Sequence, residues 1–271
     1  YASPYFNMGV AHEALKQYDQ ALEMYNTAIE YNAKDAMYYR NRGDLYFYQQ
    51  KMTLALRDHN QCIQLHPTNP NYFKARGNAH LYTGKIEAAI TDFTAATLLD
   101  PSYAYAHKRL ADAYRFSERY ERAIGSYTKS LEISPQNEYA EYGLAFTFQE
   151  INELDSAILH FKRSVEINPE FASAHGNMGW AYYQQGNFDR CIESSLQAVE
   201  LDTEAFYARF NIALSTLCKG EIEKAQKLYQ EYSELATKTN EDISGAKTDL
   251  KDLIKKKVYK EEAQLILSKF F

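Results

Sequence analysis

Seven histidines and three cysteines are the side chains of this 271-residue chain best suited to nucleophilic, acid–base or metal chemistry. Their spacing decides how much of that chemistry to expect. A metal site needs ligands that converge, such as two histidines one helical turn apart or paired cysteine knuckles. Cys62, Cys191 and Cys218 are far apart in the sequence, and no His-Glu-x-x-His occurs. There is no Gly-rich phosphate loop ending in Gly-Lys and no dinucleotide glycine fingerprint. The carboxylates fall singly along the chain. The expectation is therefore no catalytic residue, no metal site and no cofactor. An odd, dispersed cysteine set fits no disulfide framework and suggests a reducing compartment such as the cytoplasm.

Any site must then be built by the scaffold, and composition narrows what that scaffold is. An apolar fraction of 45% can fill a core, while only 6 prolines and 11 glycines leave little turn material for a many-stranded fold. The net charge of −6 argues against general attraction to nucleic acid or to an anionic membrane. No apolar run approaches the ~20 residues a membrane span needs, so no membrane insertion is expected, and no signal-peptide pattern opens the chain.

The prolines expose the organisation. Pro67, Pro101, Pro135 and Pro169 are each 34 residues apart. Stepping that period from Ala2 gives seven units without insertion or deletion. The eighth position of successive units reads Gly9, Gly43, Gly77, Ala111, Ala145, Gly179 and Ala213, all small, as required where two helices approach closely. The twentieth reads Ala21, Ala55, Ala89, Ala123, Ala157, Cys191 and Ala225. Between them Gly84, Gly186, Gly220 and Asn152 suit the left-handed residue that ends a helix. A second helix follows with apolar residues spaced four, three and four apart, as in Tyr18, Leu22, Tyr25 and Ile29. Asn69-Pro70 supplies an N-cap and a first-turn proline for the next unit.

This pattern resembles the tetratricopeptide repeat (TPR), most visibly in Tyr39, Gly43, Tyr46, Ala55 and Pro67. The resemblance implies an all-α fold: a right-handed superhelical α-solenoid of seven helix–turn–helix repeats, at 2–35, 36–69, 70–103, 104–137, 138–171, 172–205 and 206–239. Residues 240–271 carry two apolar stripes, Ala246, Leu250 and Leu253 in the first and Ala263, Ile266 and Phe270 in the second, which predict one or two C-terminal capping helices. In the repeat frame His12, His80, His107, His175 and His59 take packing positions, and His66 and His160 stand alone. Cys62 and Cys191 belong to the core and Cys218 to an accessible inner surface. Tyr232 replaces a small residue where the last repeat would meet the tail. Lys255, Lys256 and Lys257 suit a helix end, where the dipole favours cations.

In that family the first helix of each repeat lines a concave groove, which implies a function of binding protein or peptide rather than catalysis. The inward positions of repeats two to four carry Arg40, Lys74, Lys108, Arg109 and Arg115 against Asp44 and Asp112, a local excess of cations. Tyr48, Tyr82 and Tyr105 lie among them, and Tyr142 and Trp180 further along. Aromatic rings give contact area at low entropic cost and cations hold carboxylates, so an extended acidic or C-terminal peptide is the expected ligand. Asn7, Asn41, Asn177 and Asn211 share one repeat position, similar to the asparagine ladder of superhelical TPR domains, with Ala75, Arg109 and Gly143 interrupting it. Lys74 and Asn78 also match the first positions of the carboxylate clamp of chaperone-binding TPR domains, but Arg109 and Gly143 do not continue it. Because the sequence begins at Tyr1, an alternative is the substrate-recruiting portion of a larger enzyme. Weak self-association through the apolar ends of the stack is a further expectation.

Overall fold

A 34-residue sequence period becomes a helix-start period. The computed structural model describes residues 1–271 and consists of sixteen α-helices with no strand. The chain forms two compact units, residues 1–135 and 136–271. No helix is long and apolar enough to cross a membrane.

In the first unit the helices are α1 (Ala2–Ala14), α2 (Tyr18–Tyr31), α3 (Ala36–Tyr48), α4 (Met52–Leu65), α5 (Pro70–Tyr82), α6 (Ile86–Leu99), α7 (Ala104–Phe116) and α8 (Tyr120–Ile133). They pack as four successive hairpins, with α3, α5 and α7 side by side. Each hairpin is closed by one contact type. The residue at the twenty-fourth repeat position lies on the small residue at the eighth: Tyr25 on Gly9, His59 on Gly43 and Phe93 on Gly77, where a Cβ would stand 2.6, 3.0 and 2.8 Å from the ring. These rings are almost wholly buried, and burying the apolar Phe93 contributes roughly 1.5–3 kcal/mol. His59 fills an aromatic slot as a neutral ring, since burial pushes its pKa down to about 4.

Every turn inside a hairpin contains one left-handed residue. In the first unit these are Lys16, Gln50, Gly84 and Glu118, at φ of 58°, 60°, 71° and 58°. Asp35 and Asn69 cap the helices that follow them, accepting from the backbone N–H of Met37 and Asn71 at 2.9 and 3.0 Å.

The second unit contains α9 (Glu138–Glu150), α10 (Leu154–Ile167), α11 (Ala172–Gln184), α12 (Phe188–Leu201), α13 (Phe206–Cys218), α14 (Ile222–Thr239), α15 (Ser244–Lys256) and α16 (Lys260–Phe270). Three hairpins repeat the same geometry, with Asn152, Gly186 and Gly220 left-handed at their turns. The last hairpin departs from the pattern because α14 runs to 18 residues, against 14 in α10 and α12. Two tail helices follow it. α15 packs on α13 and α16 on α14, and Ala246, Leu250, Leu253, Ala263 and Ile266 join Leu214, Leu217 and Tyr229 in one core. Tyr232, buried against Phe210 at 6.0 Å between ring centroids, belongs to this altered end. Lys255 and Lys256 occupy the last turn of α15.

Candidate functional site

The first helices of the first unit bring Arg40, Asn41, Tyr48, Lys74, Asn78, Tyr82, Tyr105, Lys108, Arg109 and Arg115 onto neighbouring helices, and those residues divide into two sets. One set is tied into the fold. Asp112, buried on α7, accepts from Lys108 Nζ at 3.0 Å, from Arg109 Nη1 at 3.0 Å and from the Tyr127 hydroxyl at 2.6 Å. Arg109 Nε also donates to Asn78 Oδ1 on α5 at 2.9 Å. The side chains of Lys108 and Arg109 are only 19% and 23% exposed, so their charge is largely committed to Asp112, and Arg109 through Asn78 ties α7 to α5.

The other set is at least partly open to solvent. Lys74 Nζ stands 5.8 Å from the centre of the Tyr105 ring, and Arg40 pairs with Asp44 at 3.4 Å across a partly exposed helix turn. Burial raises the Asp44 carboxyl, and Arg40 and Lys74 oppose that rise. Tyr48, Tyr82 and Phe116 occupy one repeat position on α3, α5 and α7 and are 67%, 59% and 52% exposed, an aromatic ladder. Tyr18 and Phe47 support its first two rungs at 5.3 and 5.7 Å, and Arg115 lies 4.5 Å from the third ring. Asn41 is half-buried on α3.

Within the second unit, Asn177 Nδ2 donates to the Tyr142 hydroxyl at 2.8 Å and to the Ser173 carbonyl at 2.9 Å. Trp180 stacks on Tyr183 at 5.0 Å, and both pack against the core that α15 completes. Asn211 is buried in that same region.

Two features escaped the sequence reading. Arg42 donates to both carboxylate oxygens of Asp58 at 2.7 and 2.9 Å and to Asn26 Oδ1 at 2.6 Å. One repeat later Arg76 does the same to Asp92 and Asn60. The signal was present as an Asn, Arg and Asp 16 residues apart, recurring with the repeat. His160, expected to stand alone, instead meets the buried Glu141 carboxylate at 2.6 Å and stacks on Phe148. The thiols follow expectation in part. Cys62 is buried, and burial pushes its pKa up to about 12. Cys191 is also buried, and Cys218 is half-buried beside Tyr183, both with thiols raised by burial.

Comparison with known proteins places this geometry. The chain matches the tetratricopeptide-repeat family over residues 2–35, 74–138 and 172–204, and TPR repeats over 147–186. It is similar to the crystal structure of a tetratricopeptide-repeat protein from Parabacteroides merdae, with a TM-score of 0.70 at 16% identity, covering 92% of this chain and 97% of that one. It is similar to PilW, a type IV pilus biogenesis factor, with a TM-score of 0.69 at 17% identity, covering 77% and 96% respectively. It is also similar to YrrB, described as a TPR protein with an unusual peptide-binding site, with a TM-score of 0.56 at 20% identity, covering 68% and 95%. No curated protein matches the chain significantly in sequence.

Proposed function

We propose, from the premise that this chain belongs to the tetratricopeptide-repeat family, that it is a non-catalytic scaffold holding an extended acidic peptide on the α3–α5–α7 face. The repeats fit residues 2–239 and the cap fits 240–271. The observation that carries this reading is the exposed ladder of Tyr48, Tyr82 and Phe116, with Arg40 and Lys74 about two helical turns before Tyr48 and Tyr82 on the same helices. Rings at one repeat position offer evenly spaced docking points for successive side chains, and the two cations select carboxylates among them. The peptide-binding site named for YrrB agrees with a protein or peptide partner, and the net charge of −6 disfavours nucleic acid.

The test uses defined extended peptides of acidic, neutral and basic composition, with affinity read by fluorescence anisotropy. Lys74→Glu combined with Arg40→Glu is the informative variant, because Arg109 and Lys108 are needed by Asp112. Acidic peptides are expected to bind best and to lose about tenfold or more in affinity to this variant, with the far-UV circular dichroism unchanged. Unaltered affinity in the double variant rejects the face.

A further inference from the structure

The second unit contains a cavity of opposite chemical character. It measures about 250 Å³ and lies among α11, α13 and the start of α15. Its floor is apolar, made by Phe206, Phe210 and Ala246, all buried. Trp180 and Tyr207 add aromatic walls. Tyr207 reaches its place because residue 176 is glycine: a Cβ there would stand 2.5 Å from the ring.

Two carboxylates line this space, and no cation neutralises either. Asp242, exposed at the rim, accepts from the backbone N–H and hydroxyl of Ser244 at 2.9 and 3.1 Å and makes no ion pair. Asp249 is partly buried and has neither an ion pair nor a hydrogen-bond donor. Lys247 and Lys256 act on these carboxylates only through space, and the Lys247 ammonium sits 5.6 Å over the Phe271 ring. Independently, Asn211, 5% exposed, has its Nδ2 buried in the same lining without an acceptor. A buried amide donor and a partly buried carboxylate, both unmatched, are costly in a finished core. They are explained if a ligand completes them.

The chemistry selects that ligand. An anion would face two carboxylates, and an apolar group would leave Asp249 and Asn211 unsatisfied. A cation is attracted by the carboxylates and by the faces of Trp180 and Tyr207. The volume falls short of a drug-sized site and suits one long side chain. We infer that this cavity takes the lysine or arginine side chain of an extended partner peptide, with its charge at Asp249 and Asp242, its stem against Trp180 and Tyr207, and a backbone carbonyl accepting from Asn211 Nδ2. This site belongs to the second unit and the acidic-peptide face to the first, and either proposal can fail alone.

Trp180 is the chain's single tryptophan, so intrinsic fluorescence reports on the cavity directly. The full chain is titrated with acetylated, amidated, glycine-flanked peptides centred on lysine, arginine, norleucine or glutamate. Lysine and arginine peptides are expected to give a saturable change, with a Kd on the order of 1 mM for so short a ligand, and norleucine and glutamate peptides none. Asp249→Asn is expected to weaken binding by about fivefold or more, with the circular dichroism retained. Asp242→Asn acts in the same direction from the rim and keeps the test valid should Asp249→Asn disturb the fold. An equal response to norleucine marks a merely apolar cleft and overturns the proposal. So does no response to any peptide, a preference for glutamate, or unchanged affinity in both variants.

Discussion

Asp249 is a residue whose charge should cost stability in the absence of a ligand, and that cost can be measured. Burial pushes its carboxyl up to about 6 from an ordinary 3.8, with Asp252 acting in the same direction and Lys256 against it. Below the unfolded value the group is protonated in both states and has no effect on stability. As pH rises from about 4 to about 6 the unfolded chain releases the proton first, so the unfolded state binds fewer protons and stability falls. Above the folded value the loss is complete and constant. Two pKa units at ~1.4 kcal/mol each set a ceiling of about 3 kcal/mol, and the solvent contact Asp249 retains reduces this to on the order of 1 kcal/mol. Asn has nearly the same shape and helix propensity without the ionisation. Asp249→Asn is therefore expected to stabilise the second unit by about 1 kcal/mol near pH 7.5, a rise in midpoint of about 3 °C, and by almost nothing near pH 3.5. Urea unfolding at both pH values, followed through Trp180, measures the difference between wild type and variant, in which the titrations common to both cancel. A gain equal at the two pH values, or a loss near pH 7.5, refutes the reasoning.

Thermal denaturation should separate two glycines that are both helical. Gly125→Ala on α8 meets nothing within 4 Å and is expected to stabilise by up to about 1 kcal/mol, whereas Gly77→Ala places a Cβ 2.8 Å from the fully buried Phe93 ring and is expected to cost about 1–3 kcal/mol. In urea, Asp58→Ala should cost roughly 3–5 kcal/mol because it strands the buried Arg42 guanidinium. Asp92→Ala should cost less, since Arg76 is 23% exposed and water can replace its partner; equal losses would argue against burial as the cause.

Much of the fold was legible because a repeat length is itself a packing constraint. A fixed 34-residue step returns each small eighth-position residue to the twenty-fourth-position side chain of its own hairpin, so Gly9, Gly43 and Gly77 announce the contact before any coordinate does. The turns were legible only where the residue type advertised them. Gly84, Gly186, Gly220 and Asn152 read as left-handed, but Lys16, Gln50 and Glu118 adopt the same φ because the hairpin imposes it, at a cost of roughly 1–2 kcal/mol each. Charges were harder to read. Lys108, Arg109 and Asp112 sit three and four residues apart on one helix, a spacing that already implies pairing, yet counting them as groove charges concealed their commitment to one another. The Arg42 and Arg76 networks were periodic too, but partners 16 residues apart on neighbouring helices share no local pattern.

The asparagines of the sixth repeat position mark where periodicity stops being informative. Asn177 and Asn211 have the same type and the same register, one repeat apart. Asn177 finds the Tyr142 hydroxyl and the Ser173 carbonyl, whereas Asn211 lies on the last first-helix of the array, beside which α15 packs in place of another repeat. Register fixes the position of a side chain, and its neighbours fix its chemistry. At an interior repeat those neighbours are copies of known residues, so both can be read from sequence. At the terminal repeat they come from a non-repeating tail whose apolar stripe predicts a helix but not what that helix covers. The unmatched amide of Asn211 and the unpaired carboxylate of Asp249 therefore arise together, where the period ends, and a site there could be found only once α15 was placed.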